Sequence, residues 1–152
     1  MLEVKNLTKI FKSKKNENCI ALDNISFTLP DTGFIFITGK SGSGKSTLLS
    51  LIGALDNISS GHILLNGVSI ENLSNLELSN YRNHHVGFIF QDYHLLDELT
   101  ISENINLSLK LQNTKNNNKV KDVLKKVDLK NYYNRYPKLQ TNQSYLQVRR
   151  NL

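Results

Sequence analysis

The sequence predicts an α/β fold. Three observations carry that expectation. Residues 21–29 alternate apolar and polar positions, with Ile25, Phe27 and Leu29 on one face. Residues 34–38 read Phe-Ile-Phe-Ile-Thr, the near-continuous apolar and β-branched run of a strand covered on both faces. Several later segments carry apolar residues at helical spacing. With 152 residues, 39% of them hydrophobic and 21% charged, the chain has the size and composition of one globular domain.

In chain order, residues 2–11 and 21–29 read as an antiparallel strand pair joined by the polar stretch 12–18. The buried-type strand 34–38 runs into a glycine-rich turn and a helix over 45–55. Ser59-Ser60-Gly61 marks a turn before a short strand at 62–65. Ser74 and Glu77 form a capping box for a helix to about Tyr81, and Thr100 and Glu103 form another for a helix to about Leu111. Between them, residues 86–90 read as a second buried-type strand. The Asn-rich stretch 112–118 reads as a linker. Val120, Val123, Leu124 and Val127 then mark an amphipathic helix.

Composition narrows the function classes. No apolar run is long enough to cross a bilayer, and the first residues lack the apolar core of a signal peptide. The single cysteine, Cys19, excludes an internal disulfide and fits a reducing compartment. The net charge of +6 admits a phosphate-bearing partner or an anionic surface, and equally a solvated lysine-rich face. No zinc spacing and no aromatic-basic ribonucleoprotein motif accompanies it, so nucleic acid is not an expected partner. His84 and His85 are adjacent, cannot share a helix face, and read as loop residues rather than metal ligands.

The chemistry concentrates in Gly39-Lys40-Ser41-Gly42-Ser43-Gly44-Lys45-Ser46, which fits the phosphate-loop pattern G-x-x-x-x-G-K-[ST]. A polyphosphate has to lie against backbone N–H groups, and side chains would hold it off. Gly42 and Gly44 permit the close approach and the unusual backbone angles. The helix that follows points its positive end at the anion. Lys45 reaches the β- and γ-phosphates, the Ser46 hydroxyl is a Mg²⁺ ligand, and Thr47 adds a hydrogen bond. The loop alone does not choose among kinases, GTPases and transport ATPases.

Further segments make that choice. Residues 39–47, the strand and turn Ser60-Gly61-His62-Ile63-Leu64-Leu65-Asn66-Gly67, the stretch Val86-Gly87-Phe88-Ile89-Phe90-Gln91 and its continuation through Leu99-Thr100 into Glu103-Asn104-Ile105 resemble the ABC transporter ATPases. Residues 76–90, with Tyr81-Arg82, resemble the branch serving lipoprotein release, macrolide export and antimicrobial-peptide resistance. The resemblance runs from about Met1 to Pro137. It implies a partial P-loop NTPase core with an antiparallel β region and an incomplete helical subdomain: about 1–91 as nucleotide-binding core, about 92–137 helical, and 138–152 a degenerate tail. It implies ATP and Mg²⁺ as ligands, bound by Gly39, Ser41, Gly42, Ser43, Gly44, Lys45, Ser46 and Thr47. Phe11 would stack on adenine. Gln91 would touch Mg²⁺ or the attacking water and sense the γ-phosphate, with residues 92–96 facing a coupling helix. The implied partners are an integral-membrane permease subunit and a second ATP-binding subunit, and the implied location is cytoplasmic, peripheral on the inner face of the plasma membrane.

The sequence also departs from the family pattern. After Tyr136-Pro137 the family signature is Leu-Ser-Gly-Gly-Gln. Two registers align here, 139–143 and 143–147, and neither carries the paired glycines. No Walker B strand, catalytic Glu or switch His follows, so the chain reads as C-terminally truncated, with ATP hydrolysis impaired. Leu95-Leu96-Asp97-Glu98 imitates the end of a Walker B motif, but its apolar run is two residues long and follows directly on another strand. The rival expectations are an inactive, poorly folded remnant, a small-molecule kinase using Asp97 and Glu98, and a basic nucleic-acid binder.

Overall fold

A computed structural model describes residues 1–13, 17–90, 94–111 and 117–137. The chain divides into two compact units, Met1–Phe88 and Ile89–Leu152. In the first, strands β1 (Leu2–Phe11), β2 (Cys19–Leu29), β3 (Ser60–Leu65) and β4 (Val68–Ser69) form an antiparallel sheet in the order β2-β1-β3-β4. Helix α1 (Lys45–Ile52) and helix α2 (Asn75–His85) belong to the same unit. The second unit holds α3 (Ile101–Leu111) and α4 (Asn117–Lys126).

The expected strand pair is present, with Leu2 opposite Leu29 and Phe11 opposite Cys19. The register slips at bulges. Asn6 and Asn24 take positive φ there (49° and 48°), and their amides donate to Ser26 Oγ and Thr8 Oγ1. The β3–β4 hairpin turns through Asn66 and Gly67, both at positive φ, as the Asn-Gly pair favours. Val4, Leu7, Leu22, Leu48, Leu51, Ile63, Ile70 and Tyr81 form the core, packing β1, β2 and β3 with α1 and α2.

The capping boxes form as read. The Ser74 hydroxyl accepts from the Glu77 amide while the Glu77 carboxylate accepts from the Ser74 amide. Thr100 and Glu103 exchange the same pair of bonds ahead of α3. Helix α2 runs past Tyr81, so His84 and His85 occupy its last turn rather than a loop. Basic residues complement the carbonyl end of a helix, and the His84 ring nitrogen lies 2.9 Å from the Asn80 carbonyl. Helix α4 begins at Asn117, inside the expected linker, and ends at Lys126; it buries Val120 and Leu124 and leaves Val123 half exposed, with Val127, also half exposed, in the turn that follows.

Two expected strands do not form. Residues 34–38 take no strand pairing, and their peptide groups hydrogen-bond to no described residue. Phe34 is 95% exposed and Phe36 86%. Residues 86–90 likewise are not a strand, and Ile89 is fully open to solvent. The reason is physical: a strand of this composition exists only where neighbours pair its edges and cover both its faces. No described residue pairs the peptide groups of 34–38, and in 86–90 Val86 packs against the core and Phe88 lies against Gly53 while Ile89 is left uncovered.

Candidate functional site

The glycine-rich loop leads straight into α1. Gly44 is the residue before the helix, at φ 84° and ψ 3°, and no side chain caps the first turn, which carries no acidic residue. The first-turn amides and the positive end of the helix dipole therefore face the loop without a carboxylate to neutralise them. The left-handed angle suits glycine, and the site demands it twice over. A Cβ on Gly44 would lie 2.4 Å from the Ala21 carbonyl oxygen and 2.8 Å from Leu22 Cδ2. Gly42, at φ 80°, has nothing near the position of a Cβ, so the loop presents bare backbone on that side.

The Lys45 ammonium is held inside the loop it follows. It donates to the carbonyls of Gly39 at 2.9 Å and Lys40 at 2.7 Å and to Ser43 Oγ at 3.3 Å. The Ser43 amide closes the turn onto the Lys40 carbonyl at 3.2 Å. The ammonium's three bonds thus go to two backbone carbonyls and one hydroxyl of a single small loop, beside the start of α1. Such an arrangement can receive a multiply charged oxyanion through a cation, backbone amides and the Ser46 and Thr47 hydroxyls of the first turn.

Phe11 ends β1 with its ring 44% exposed. Two residues earlier on the same face of the strand, Lys9 is buried at 8% exposure, and its ammonium lies 4.8 Å from the Phe11 ring centroid. Lys9 Nζ also donates to Asp56 Oδ1 at 2.8 Å and to the Asn57 carbonyl at 2.6 Å. The Lys9 hydrogen bond holds the Asp56 carboxyl below the usual carboxylate range, outweighing the opposing effect of burial. Asp56 and Asn57 belong to the turn after α1. The same turn is tied down by the Tyr81 hydroxyl, which donates to the Ile52 carbonyl at 2.7 Å, and by Arg82 Nη1, which donates to the Ala54 carbonyl at 2.9 Å. Burial pushes the Tyr81 phenol up, so its proton stays available for that bond. Sequence reasoning passed over Lys9 and Asp56. The available signal was a lysine between Leu7 and Phe11 on the buried face of an alternating strand.

Other sequence-level candidates fall elsewhere. Gln91, the Asp92-Tyr93 pair and the signature-like segment 138–152 lie outside the described residues. Asp97 and Glu98 lie in a turn ahead of α3, not at the end of a strand. The Asn104 side chain organises that turn, accepting from the Leu96 amide at 2.9 Å and donating to the Leu96, Leu99 and Thr100 carbonyls. Among the described residues no group of His, Cys, Asp and Glu is arranged for a metal ion, and no helix is long and apolar enough to cross a membrane. A cavity of about 210 Å³ opens between α1, β3 and α2, lined by Leu51, Asp56, Ile63, Glu71 and Leu78 among others. None of the glycine-rich loop reaches it, so it is separate from the phosphate-loop site.

Comparison with known proteins decides the family. The model of the ABC transporter family matches residues 22–150. The chain belongs to the ABC transporter family. Over 140 residues it is 45% identical to a lipoprotein-releasing system ATP-binding protein, LolD, of Buchnera aphidicola, covering 90% of this chain and 61% of that protein. It is 45% identical over 112 residues to the ABC transporter ATP-binding protein YxdL of Bacillus subtilis, covering 74% of this chain and 43% of that one. The chain thus spans less than two thirds of the length of these relatives. Among solved structures, the ATP-binding cassette MJ0796, a dimer bound to ADP and Pi in a post-hydrolysis state, matches with a TM-score of 0.83 at 30% identity. That match covers 100% of this chain and 69% of the cassette. The fold is therefore that of an ABC cassette, an α/β core with an antiparallel sheet and a helical part.

Proposed function

We propose that this chain is an ATP-binding part of an ABC-type export system and that it holds Mg-ATP at the loop of residues 39–47. The observation that carries the reading is the Lys45 ammonium, ringed by the Gly39 and Lys40 carbonyls at the uncapped start of α1. Of its three bonds, the one to Ser43 Oγ at 3.3 Å is the longest and is the one a phosphate oxygen replaces. Gly39, Ser41, Gly42, Ser43 and Gly44 supply the backbone cradle. Ser46 offers its hydroxyl to Mg²⁺, which neutralises triphosphate charge when bound, and Thr47 donates to phosphate. Phe11, half exposed at the end of β1, stacks on the adenine. Gln91 senses the γ-phosphate and the attacking water.

By the same reading, about 1–91 is the nucleotide-binding core, about 92–137 is helical, and 138–152 is a tail. The partners are an integral-membrane permease and a second ATP-binding subunit, at the cytoplasmic face of the membrane. Relatives named for lipoprotein release support an export role. The 152-residue polypeptide by itself binds nucleotide and hydrolyses it poorly, because 138–152 lacks the paired glycines of the signature.

Thermal unfolding of the purified chain with and without Mg-ATP tests this. Ligand at about 100 times its dissociation constant adds about 2.7 kcal/mol. A cooperative melt that rises with Mg-ATP in wild type and not in Lys45→Ala supports the reading. A melt that Mg-ATP leaves unmoved, or moves equally in both, refutes it.

A further inference from the structure

We propose that Lys9 is a positioning residue for base recognition, its buried ammonium fixing the Phe11 ring to the turn that ends helix α1. This rests on the reading that Phe11 takes the adenine. A lysine at 8% exposure pays a large desolvation cost unless its charge is matched. Here it is matched by two oxygens of one turn, Asp56 Oδ1 and the Asn57 carbonyl. The same ammonium sits 4.8 Å from the Phe11 ring centroid. One ring face is thereby anchored to a cation, and the ring remains half exposed for a base. The cation also draws electron density from that ring, which reduces the repulsion between its open face and the π-face of a stacked purine.

The anchor has a second end. Asp56 and Asn57 follow α1 closely, and α1 begins at the phosphate loop. Tyr81 and Arg82 fasten the carbonyls of Ile52 and Ala54 in the same stretch. Lys9 therefore connects the element that would stack on the base to the element that would bind the phosphates. It sets the distance a nucleotide has to span between them. A core lysine that merely held the sheet together would have no reason to affect a ligand with a base more than one without.

The experiment compares equilibrium binding of Mg-ATP and of Mg-tripolyphosphate, which has no base, to the full chain by calorimetry. The proteins are wild type, Lys9→Met, Lys9→Arg and Phe11→Ala. The expected result is that Lys9→Met weakens Mg-ATP about three- to tenfold, the range of a partly desolvated cation–π contact, and moves tripolyphosphate less than about twofold. Lys9→Arg recovers most of the loss. Lys9→Met combined with Phe11→Ala is no weaker than Phe11→Ala alone, because both act on one ring. An equal loss for both ligands shows a purely structural lysine and overturns the proposal. So does an unchanged ATP-to-tripolyphosphate ratio in Lys9→Met when Phe11→Ala lowers it. If Phe11→Ala leaves that ratio unchanged, the base-stacking reading itself fails and takes the proposal with it. Should Lys9→Met lose its cooperative melt, Asp56→Asn, which frees the ammonium at nearly constant shape, carries the same comparison with the same two outcomes.

Discussion

Gly44 and Ala21 are in direct contact: a single added methyl on Gly44 would come within 2.4 Å of the Ala21 carbonyl oxygen. Strand β2 therefore abuts the start of α1, and the left-handed φ of 84° completes the restriction. Gly44→Ala is expected to lower stability by at least ~1–2 kcal/mol from the backbone angle alone, with the clash adding to it. It should also abolish the rise in melting temperature with Mg-ATP. Chemical denaturation and a ligand-shift melt measure the two effects separately.

Ser46 provides a test of metal dependence. In wild type, chelating Mg²⁺ should reduce the stabilisation that ATP confers. In Ser46→Ala, ATP with Mg²⁺ should stabilise no more than ATP with chelator, because the hydroxyl ligand is gone. Equal metal dependence in both proteins would remove Ser46 from the site.

The turn after α1 is a stability hub. Tyr81→Phe deletes the bond to the Ile52 carbonyl and should cost about 1–2 kcal/mol, since a part-buried acceptor is left without its partner. Arg82→Met should cost a similar amount through the Ala54 carbonyl. Urea titrations of the two variants and their double mutant would show whether adjacent residues fastening one turn act additively.

Acid should destabilise the chain through identified carboxylates. Lys9 holds the Asp56 carboxyl below its ordinary value. Bonds from the Ser74 hydroxyl and amide do so for Glu77, and the Thr100 amide and hydroxyl do so for Glu103. At Glu71 burial alone would push the carboxyl up, but bonds involving Ser69, His62 and the Ile63 amide outweigh it. Each group is depressed in the folded state, so the unfolded chain takes up protons first, near pH 4, where free carboxylates titrate. Their stabilisation is complete above about pH 5 and is lost as pH falls through the lower folded values. Melting temperature against pH should drop in that window, less steeply in Asp56→Asn and Glu103→Gln.

What could be read from the sequence was what is decided locally. The capping boxes need only residues three apart, and both were legible. The phosphate loop needs eight consecutive residues and its helix. The Asn66-Gly67 turn is a two-residue signal. The position of Lys9 between Leu7 and Phe11 signals a buried lysine, but its partners were not legible, because Asp56 and Asn57 are 47 and 48 positions away and carry no motif. Helix α2 outran its expected end because a histidine pair signals neither helix nor loop. The run at 34–38 was legible as apolar on both faces, yet composition states what a strand requires and not whether the requirement is met.

The exposed run should also govern handling. Phe34→Ser and Phe36→Ser are expected to lower light scattering at a given concentration and to leave the melting temperature nearly unchanged, since these side chains contribute little buried area. Unchanged scattering would mean that association starts elsewhere.

A segment whose peptide groups bond to no described residue and whose phenylalanines stand open to water behaves as a second-order hazard. Folding within one molecule is indifferent to dilution, but the encounter of two such segments is not. The useful range of this protein is therefore bounded by its concentration as much as by temperature. A sample that melts reversibly when dilute can precipitate when concentrated, at a temperature where every individual molecule is still folded.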